Sequence, residues 1–400
     1  MATMTTAPLP ATDTVTDPLA LLDVDHVKFF VGNAKQAAFF YAYTFGFTIE
    51  QLADLTTGSR DRARYLLTQG NIRIVLETPL SKDDPAAEEL RCHGDGVKDI
   101  AFTVEDAQAA WQQAVANGGI SAYEPITISD NDGSVTTAGI KTYGRAVHSF
   151  VSRTGAYSID RVKKGGLLEP NFKHIEGLSI NDYNAKHPCG LMFLDHCVGN
   201  VTEGRMDYWV EWYECVLGFA MFKHFDDADI STEHSALMSK VMASGNNLIK
   251  FPINEPAEGK KKSQIQEYLE WHDMTAGVQH LAFRTNDCVE SVAELRRRGV
   301  DFLRIPDEYY EQVWSRVDQC LKEHGLEEVR EDHERIRDLG ILIDADDQGY
   351  LLQLFTKPLQ DRPTLFFEVI GRRGSQSFGK GNFKALFESL ELEQERRGNL

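Results

Sequence analysis

One eleven-residue segment occurs twice in this chain, and that repetition constrains the fold more than any other feature. Gly277-Val278-Gln279-His280-Leu281-Ala282-Phe283-Arg284-Thr285-Asn286-Asp287 is matched by Gly96-Val97-Lys98-Asp99-Ile100-Ala101-Phe102-Thr103-Val104-Glu105-Asp106. In both copies a glycine follows the last aspartate by twelve residues, Gly299 in one and Gly118 in the other. The position with the sharpest chemical difference carries Asp99 in the early copy and His280 in the late one. A duplicated scaffold with the imidazole in one copy predicts that one half holds a metal ion and the other does not.

A second pair of segments repeats as well. Asp25-His26-Val27 leads to Phe45-Gly46-Phe47, and Asp195-His196-Cys197-Val198 leads to Leu217-Gly218-Phe219 at almost the same distance. Each block reads as a strand, an amphipathic helix and a glycine turn, the helices containing Ala37 to Tyr41 and Tyr208 to Tyr213. Four strand–helix openings, near residues 25, 97, 194 and 278, imply four related β-rich units, two per half. Alternating runs such as Ile72-Arg73-Ile74-Val75-Leu76 supply further strands. The expected class is α+β.

At 400 residues the chain is too long for one ordinary domain, and two are expected. The expected layout is a disordered leader over 1–20, an N-terminal domain without metal over 21–162, a connector over 163–188, and a catalytic domain over 189–400. The leader is rich in Thr, Ala and Pro and lacks the basic and apolar blocks of a signal or transit peptide. The connector has Gly165-Gly166, Pro170, Asn181-Asp182 and His187-Pro188 and shows no sustained periodicity. Residues 306–340 are dense in charge and read as inserted, exposed helices. A last helix is expected over 382–397, with Asn382 as N-cap and Phe383, Leu386, Phe387 and Leu390 as its apolar stripe.

The net charge of −19 argues against a nucleic-acid partner. Lys260-Lys261-Lys262 reads as a solvated loop. No apolar run spans a bilayer, so a membrane location is not expected. Six cysteines without paired spacing fit a reducing, cytoplasmic compartment.

Non-haem iron oxygenases hold Fe(II) with two imidazoles and one carboxylate on one face of the ion, leaving positions open for substrate and dioxygen. His196 and His280 stand at equivalent places in two repeated units, each on a first strand. Glu368 is the single acid inside the apolar run Pro363 to Ile370, and burying it demands a cationic partner. The three residues are therefore candidate metal ligands. Asp195 is set aside because strand alternation turns it to the opposite face from His196. His26 has no matching histidine or clear glutamate and is expected to be structural.

Further motifs carry a resemblance. Leu194-Asp195-His196-Cys197-Val198-Gly199-Asn200, Phe251-Pro252-Ile253-Asn254-Glu255-Pro256, Lys262-Ser263-Gln264-Ile265 and Gly277 to His280 resemble the 4-hydroxyphenylpyruvate dioxygenase family. So do Asp347 to Pro358, Asp361-Arg362-Pro363-Thr364 and Phe378-Gly379-Lys380-Gly381-Asn382-Phe383. The resemblance implies the vicinal-oxygen-chelate (glyoxalase-like) architecture. That means four βαβββ modules, two per domain, with a C-terminal helix over the open barrel of the second domain.

It also implies one Fe(II) per subunit on His196, His280 and Glu368. The implied substrate pocket contains Ser239, Asn254, Gln264, Gln279, Gln353, Phe355, Phe366, Phe378, Asn382 and Phe383. Of these, Asn254, Gln264, Gln279, Gln353 and Phe355 are implied to act closest to the reaction. That reaction is oxidative decarboxylation, ring hydroxylation and side-chain migration of 4-hydroxyphenylpyruvate to homogentisate with dioxygen, a step of tyrosine and phenylalanine catabolism. The substrate itself supplies the 2-oxo acid. Family members are homodimers or homotetramers, and the same is expected here. Two alternatives share the scaffold: 4-hydroxymandelate synthase acting on the same substrate, and a non-catalytic ligand-binding protein. Pro252 and Phe355 match the dioxygenase pattern. Gly371 departs from it.

Overall fold

Helices Ala34–Phe45 and Met206–Leu217, one in each half, stop in the same way. Gly46 and Gly218 take left-handed backbone angles, φ 73° and 70°, that a side chain would strain. Each glycine turns the chain back into a sheet, so the repeat in sequence becomes a repeat in space.

The computed structural model describes residues 18–225, 236–257 and 262–399. Most of the expected leader, together with Lys260 and Lys261, lies outside these residues. Leu19 and Leu21, at the leader's edge, are buried in the core.

The first sheet contains β1 (Asp23–Phe30), β2 (Thr48–Ala53), β3 (Arg62–Gln69), β4 (Ile72–Pro79), β5 (Gly96–Thr103), β6 (Ile120–Ser129), β7 (Ser134–Lys141), β8 (Val147–Arg153) and β9 (Lys173–His174). The second contains β10 (Leu191–Asn200), β11 (Ala220–Phe225), β12 (Ala236–Ala243), β13 (Lys250–Ala257), β14 (Gly277–Thr285), β15 (Leu342–Asp346), β16 (Gly349–Phe355) and β17 (Phe366–Arg373). Their spatial orders are β6-β7-β8-β5-β1-β4-β3-β2-β9 and β11-β12-β13-β10-β14-β17-β16-β15. In all four modules the first strand pairs in parallel with the last, as β10 does with β13 and β14 with β17. Antiparallel pairing of β1 with β5, and of β10 with β14, joins two modules into each curled sheet. The class is α+β, built from four βαβββ modules as expected.

The halves share one core. Phe29 meets Phe367 at 6.4 Å between ring centres, and Phe47 meets Phe283 at 6.1 Å. All four rings are essentially inaccessible to water, and each contributes on the order of 2–3 kcal/mol through burial. Gly371 lies on β17, where a Cβ would come within 3.0 Å of Cys288 Cβ, so glycine here permits close helix-on-sheet packing.

Three local expectations gain detail. Residues 163–188, read as a connector without sustained periodicity, carry two short elements. Lys173–His174 adds an edge strand to β2, and the helix Ser179–Lys186 docks on the first half. Asn184 drives that docking, its amide donating to the carbonyls of Ala42 and Phe47 at 3.0 and 2.9 Å. The segment 306–340 is not simply exposed, because the helix Asp307–Glu323 buries Tyr310, Val313, Val317 and Leu321. An apolar stripe at helical spacing was hidden there by the surrounding charge. Finally, Asn382 stands at the N-cap of the last helix, Phe383–Arg396, but its side chain makes no capping hydrogen bond. Its Oδ1 accepts from the Tyr309 hydroxyl at 2.7 Å instead.

Candidate metal centre

Strand register places the three candidate ligands. His196 on β10 pairs with Ala282 on β14, and Ala282 pairs with Glu368 on β17. His280 lies two residues before Ala282, so all three side chains share one face. Their ligand atoms lie within 4.8 Å of one another and all three residues are buried. Glu368 Oε2 stands 3.1 Å from His196 Nε2 and 3.3 Å from His280 Nε2.

The far nitrogen of each ring is also engaged. His196 Nδ1 meets Asp195 Oδ2 at 2.9 Å, and His280 Nδ1 meets Gln279 Oε1 at 2.9 Å. Both acceptors favour the tautomer with the proton on Nδ1, which leaves each Nε2 lone pair facing the other two ligands. Burial opposes the Glu368 charge, but the two imidazoles outweigh it and hold the carboxyl down to about 2. Two imidazole nitrogens and an ionised carboxylate converging in a dry site form the two-histidine, one-carboxylate donor set. The residues fit a divalent metal.

Asp195 stands outside the metal-competent cluster, as expected of a non-ligand, but sequence reasoning does not foresee its contact with His196. Strict alternation separates the two, and β10 breaks that alternation. A register shift between Leu194 and His196 marks a β-bulge at Asp195, which re-aims a side chain locally. Arg372 on β17 grips the Asp195 carboxylate through two nitrogens. Burial opposes that charge too, but Arg372 and His196 keep Asp195 ionised, well below the usual carboxylate range. The signal was present in the sequence, because the Asp-His pair occurs in both halves as Asp25-His26 and Asp195-His196.

The first half retains the outer part of this arrangement. Arg153 binds Asp25, Asp25 meets His26 Nδ1 at 2.7 Å, and β1 carries the same register shift. Asp99 stands in the place of His280 and accepts from the Ser149 backbone and hydroxyl. By strand register Ser149 takes the place of Glu368. Among the described residues, only His196, His280 and Glu368 form a metal-competent cluster. His26 lies outside that cluster, its Nδ1 engaged by Asp25.

A cavity of about 80 Å³ opens on the triad, lined by Ser239, Asn254, Gln264, Gln279, Phe355, Phe366, Phe378 and Phe383. All eight are among the pocket residues that the family resemblance implies. Ser239 and Asn254 face each other in register across β12 and β13, and Gln279 donates to Gln264 at 3.2 Å. Phe366 stacks on His280 at 4.8 Å between ring centres, and Phe378 approaches His196 at 5.0 Å. Gln353 and Asn382 do not line the cavity. Each is buried beside it with an unpartnered amide nitrogen. Val198, Leu237, Val241 and Pro252 complete the wall, while Leu386, Phe387 and Leu390 of the last helix roof it. These apolar residues carry no signal that separates a pocket wall from a core.

Two segments, 25–137 and 193–354, match models of the Glyoxalase/Bleomycin resistance protein/Dioxygenase superfamily. The chain is 43% identical to 4-hydroxyphenylpyruvate dioxygenase of Aspergillus fumigatus, over 98% of this chain and 97% of that one. It is 44% identical to the Yarrowia lipolytica protein of the same name, over 99% and 98%. A solved triple mutant of 4-hydroxymandelate synthase from Streptomyces coelicolor superposes with a TM-score of 0.78 at 28% identity, covering 94% of this chain and 99% of that one.

Proposed function

Because this chain belongs to the 4-hydroxyphenylpyruvate dioxygenase family, we propose that it converts 4-hydroxyphenylpyruvate and dioxygen to homogentisate and carbon dioxide. The single observation that carries this reading is the buried triad of His196, His280 and Glu368 opening on an aromatic cavity. We assign Fe(II), one per subunit, to the triad. When bound, it supplies open coordination positions and the redox chemistry that activates dioxygen.

The chain's own residues supply geometry and dryness. Asp195 and Gln279 hold the two imidazoles with Nδ1–H turned outward and Nε2 turned inward. Phe355, Phe366 and Phe378 shield the triad from water and offer flat faces to a phenol ring. Ser239, Asn254 and Gln264 are amide or hydroxyl groups in an otherwise apolar wall, suited to bind the substrate's hydroxyl and carboxylate. Gln353 and Asn382 are assigned supporting places behind that wall, where their free amide hydrogens await a partner when the roof shifts. A cavity of about 80 Å³ is well below the several hundred expected of a ligand pocket. The helix Phe383–Arg396 must therefore move to admit substrate. Gly379, at φ 76°, begins that helix's lead-in, and a Cβ there would lie 2.4 Å from the Gln353 amide.

No helix among the described residues is long and apolar enough to cross a membrane. A cytoplasmic homodimer or homotetramer is the assembly we assign from the family, and sedimentation of the purified protein tests it. For the reaction, the protein is reconstituted anaerobically with Fe(II), then given substrate and air, and the product is identified by mass and ring-proton NMR. Homogentisate is the expected product. 4-Hydroxymandelate would place the chain with the synthase, and absence of both turnover and bound iron would make it a binding protein.

A further inference from the structure

The first half keeps a cavity where the second half has its metal centre, and its chemistry is different. Strand register identifies the counterparts. Lys28 takes the place of Val198, Asp99 that of His280, Val147 that of Phe366 and Glu77 that of Asn254. Lys98, just before Asp99, corresponds to Gln279. Gly139 occupies the position of Phe355, and the Tyr123 ring crosses it so closely that a Cβ would lie 2.3 Å away. A neutral aromatic pocket in one half is thus a charged one in the other.

This cavity measures about 450 Å³, several times the volume beside the triad. Its inner charges are largely engaged with one another. Lys98 binds Glu89, and Arg62 binds Glu77 and Asp84. Asp99 is held by Ser149, whose hydroxyl also meets the Tyr123 hydroxyl at 2.6 Å. Lys28, Lys141 and Arg145 also line the cavity. Lys28 is balanced electrostatically by Glu77 and Asp99, which leaves Lys141 and Arg145 as the rim cations without an ion pair among the described residues, in a chain of net charge −19.

The remaining wall is apolar, formed by Phe30, Pro85, Ala122, Ala146 and Val147. The helix Pro85–His93 starts at this wall, but its end offers no free anion site. Asp84 Oδ1 already accepts from Ala86 N at 2.8 Å, and Arg62 holds Asp84 in turn. Rim cations beside an apolar wall, with the nearby helix start already capped by Asp84, suit an organic anion better than a phosphate. We propose that this cavity is a second ligand site, separate from the metal centre, which binds a small organic carboxylate. The carboxylate reaches Lys28 and the rim cations Lys141 and Arg145, and its hydrocarbon part lies against Phe30 and Val147.

Benzoate is the probe. It is titrated calorimetrically at low ionic strength into the full-length iron-loaded protein and into the His196→Ala variant, which lacks a metal ligand. One saturable site common to both proteins is the expected result. The double variant Lys141→Glu, Arg145→Glu changes only exposed residues and should weaken that site tenfold or more, with an unchanged circular dichroism spectrum. Lys28→Met should weaken it as well. Binding that vanishes in His196→Ala, or that ignores the double charge reversal, overturns the proposal. So does displacement of benzoate by an equal concentration of inorganic phosphate.

Discussion

Arg372 holds both oxygens of Asp195, at 2.9 and 2.7 Å, and Asp195 in turn meets Nδ1 of the ligand His196. Arg372 also donates to the Ser377 carbonyl, on the loop that leads to the roof helix. One guanidinium therefore connects the orientation of a metal ligand with the approach to the lid. The same pair without a metal, Asp25 with Arg153, stands in the first half.

These two pairs make an internally controlled experiment. Asp195→Ala leaves Arg372 buried and unpaired, a loss of about 3–5 kcal/mol in unfolding free energy. It should also weaken iron binding about 10- to 100-fold. Asp25→Ala should cost similar stability and leave iron affinity unchanged. Urea unfolding and metal titration of both variants decide the matter. Equal iron affinity in the two would remove any orienting role from Asp195.

Glu368→Ala should abolish iron retention while the sheet remains folded, because Glu368 is the only carboxylate in the triad. Metal analysis after gel filtration, together with circular dichroism, checks this. Stoichiometric iron in the variant would show that the ligand set has been misread.

Removing residues 382–400 takes away Phe383, Leu386, Phe387 and Leu390, which cover the cavity. Bound iron should then pass to an added chelator at least tenfold faster. The milder change Phe387→Ala should accelerate transfer less. Unaltered transfer rates in the truncated protein would mean that the helix does not control access.

His148 sets a pH dependence unrelated to catalysis. It is fully buried, with Nδ1 3.1 Å from the Ile100 carbonyl and Nε2 2.8 Å from the Tyr213 hydroxyl. Burial pushes its pKa down to about 4. The unfolded chain, with an ordinary histidine pKa near 6.5, binds the proton more readily. Stability from this residue is therefore complete above about pH 6.5 and declines as pH falls toward 4, by on the order of 3 kcal/mol in all. Urea midpoints measured across that window should fall in the parent protein and fall less in His148→Phe.

Reading the sequence alone determined the module count, the α+β class and the three candidate ligands. Those follow from local patterns: a repeated segment, a glycine after each helix, and one acid in an apolar strand. Eight of the ten pocket residues that the family resemblance implies line the cavity; alternation alone does not separate them from core, and Gln264, Phe378 and Phe383 lie on no strand. Tertiary structure decided what alternation does not describe. The bulge at Asp195 turned a discarded residue toward His196, and Tyr309 drew the Asn382 side chain away from a capping bond. Gln353 and Asn382 fell behind the wall because strand packing, not strand periodicity, sets depth. The charged cavity of the first half was invisible for the same reason: Lys28, Lys141 and Arg145 meet only when sheet curvature brings distant strands together. Periodicity along a chain encodes which face a side chain takes. Distances between faces exist only after the sheet has curled.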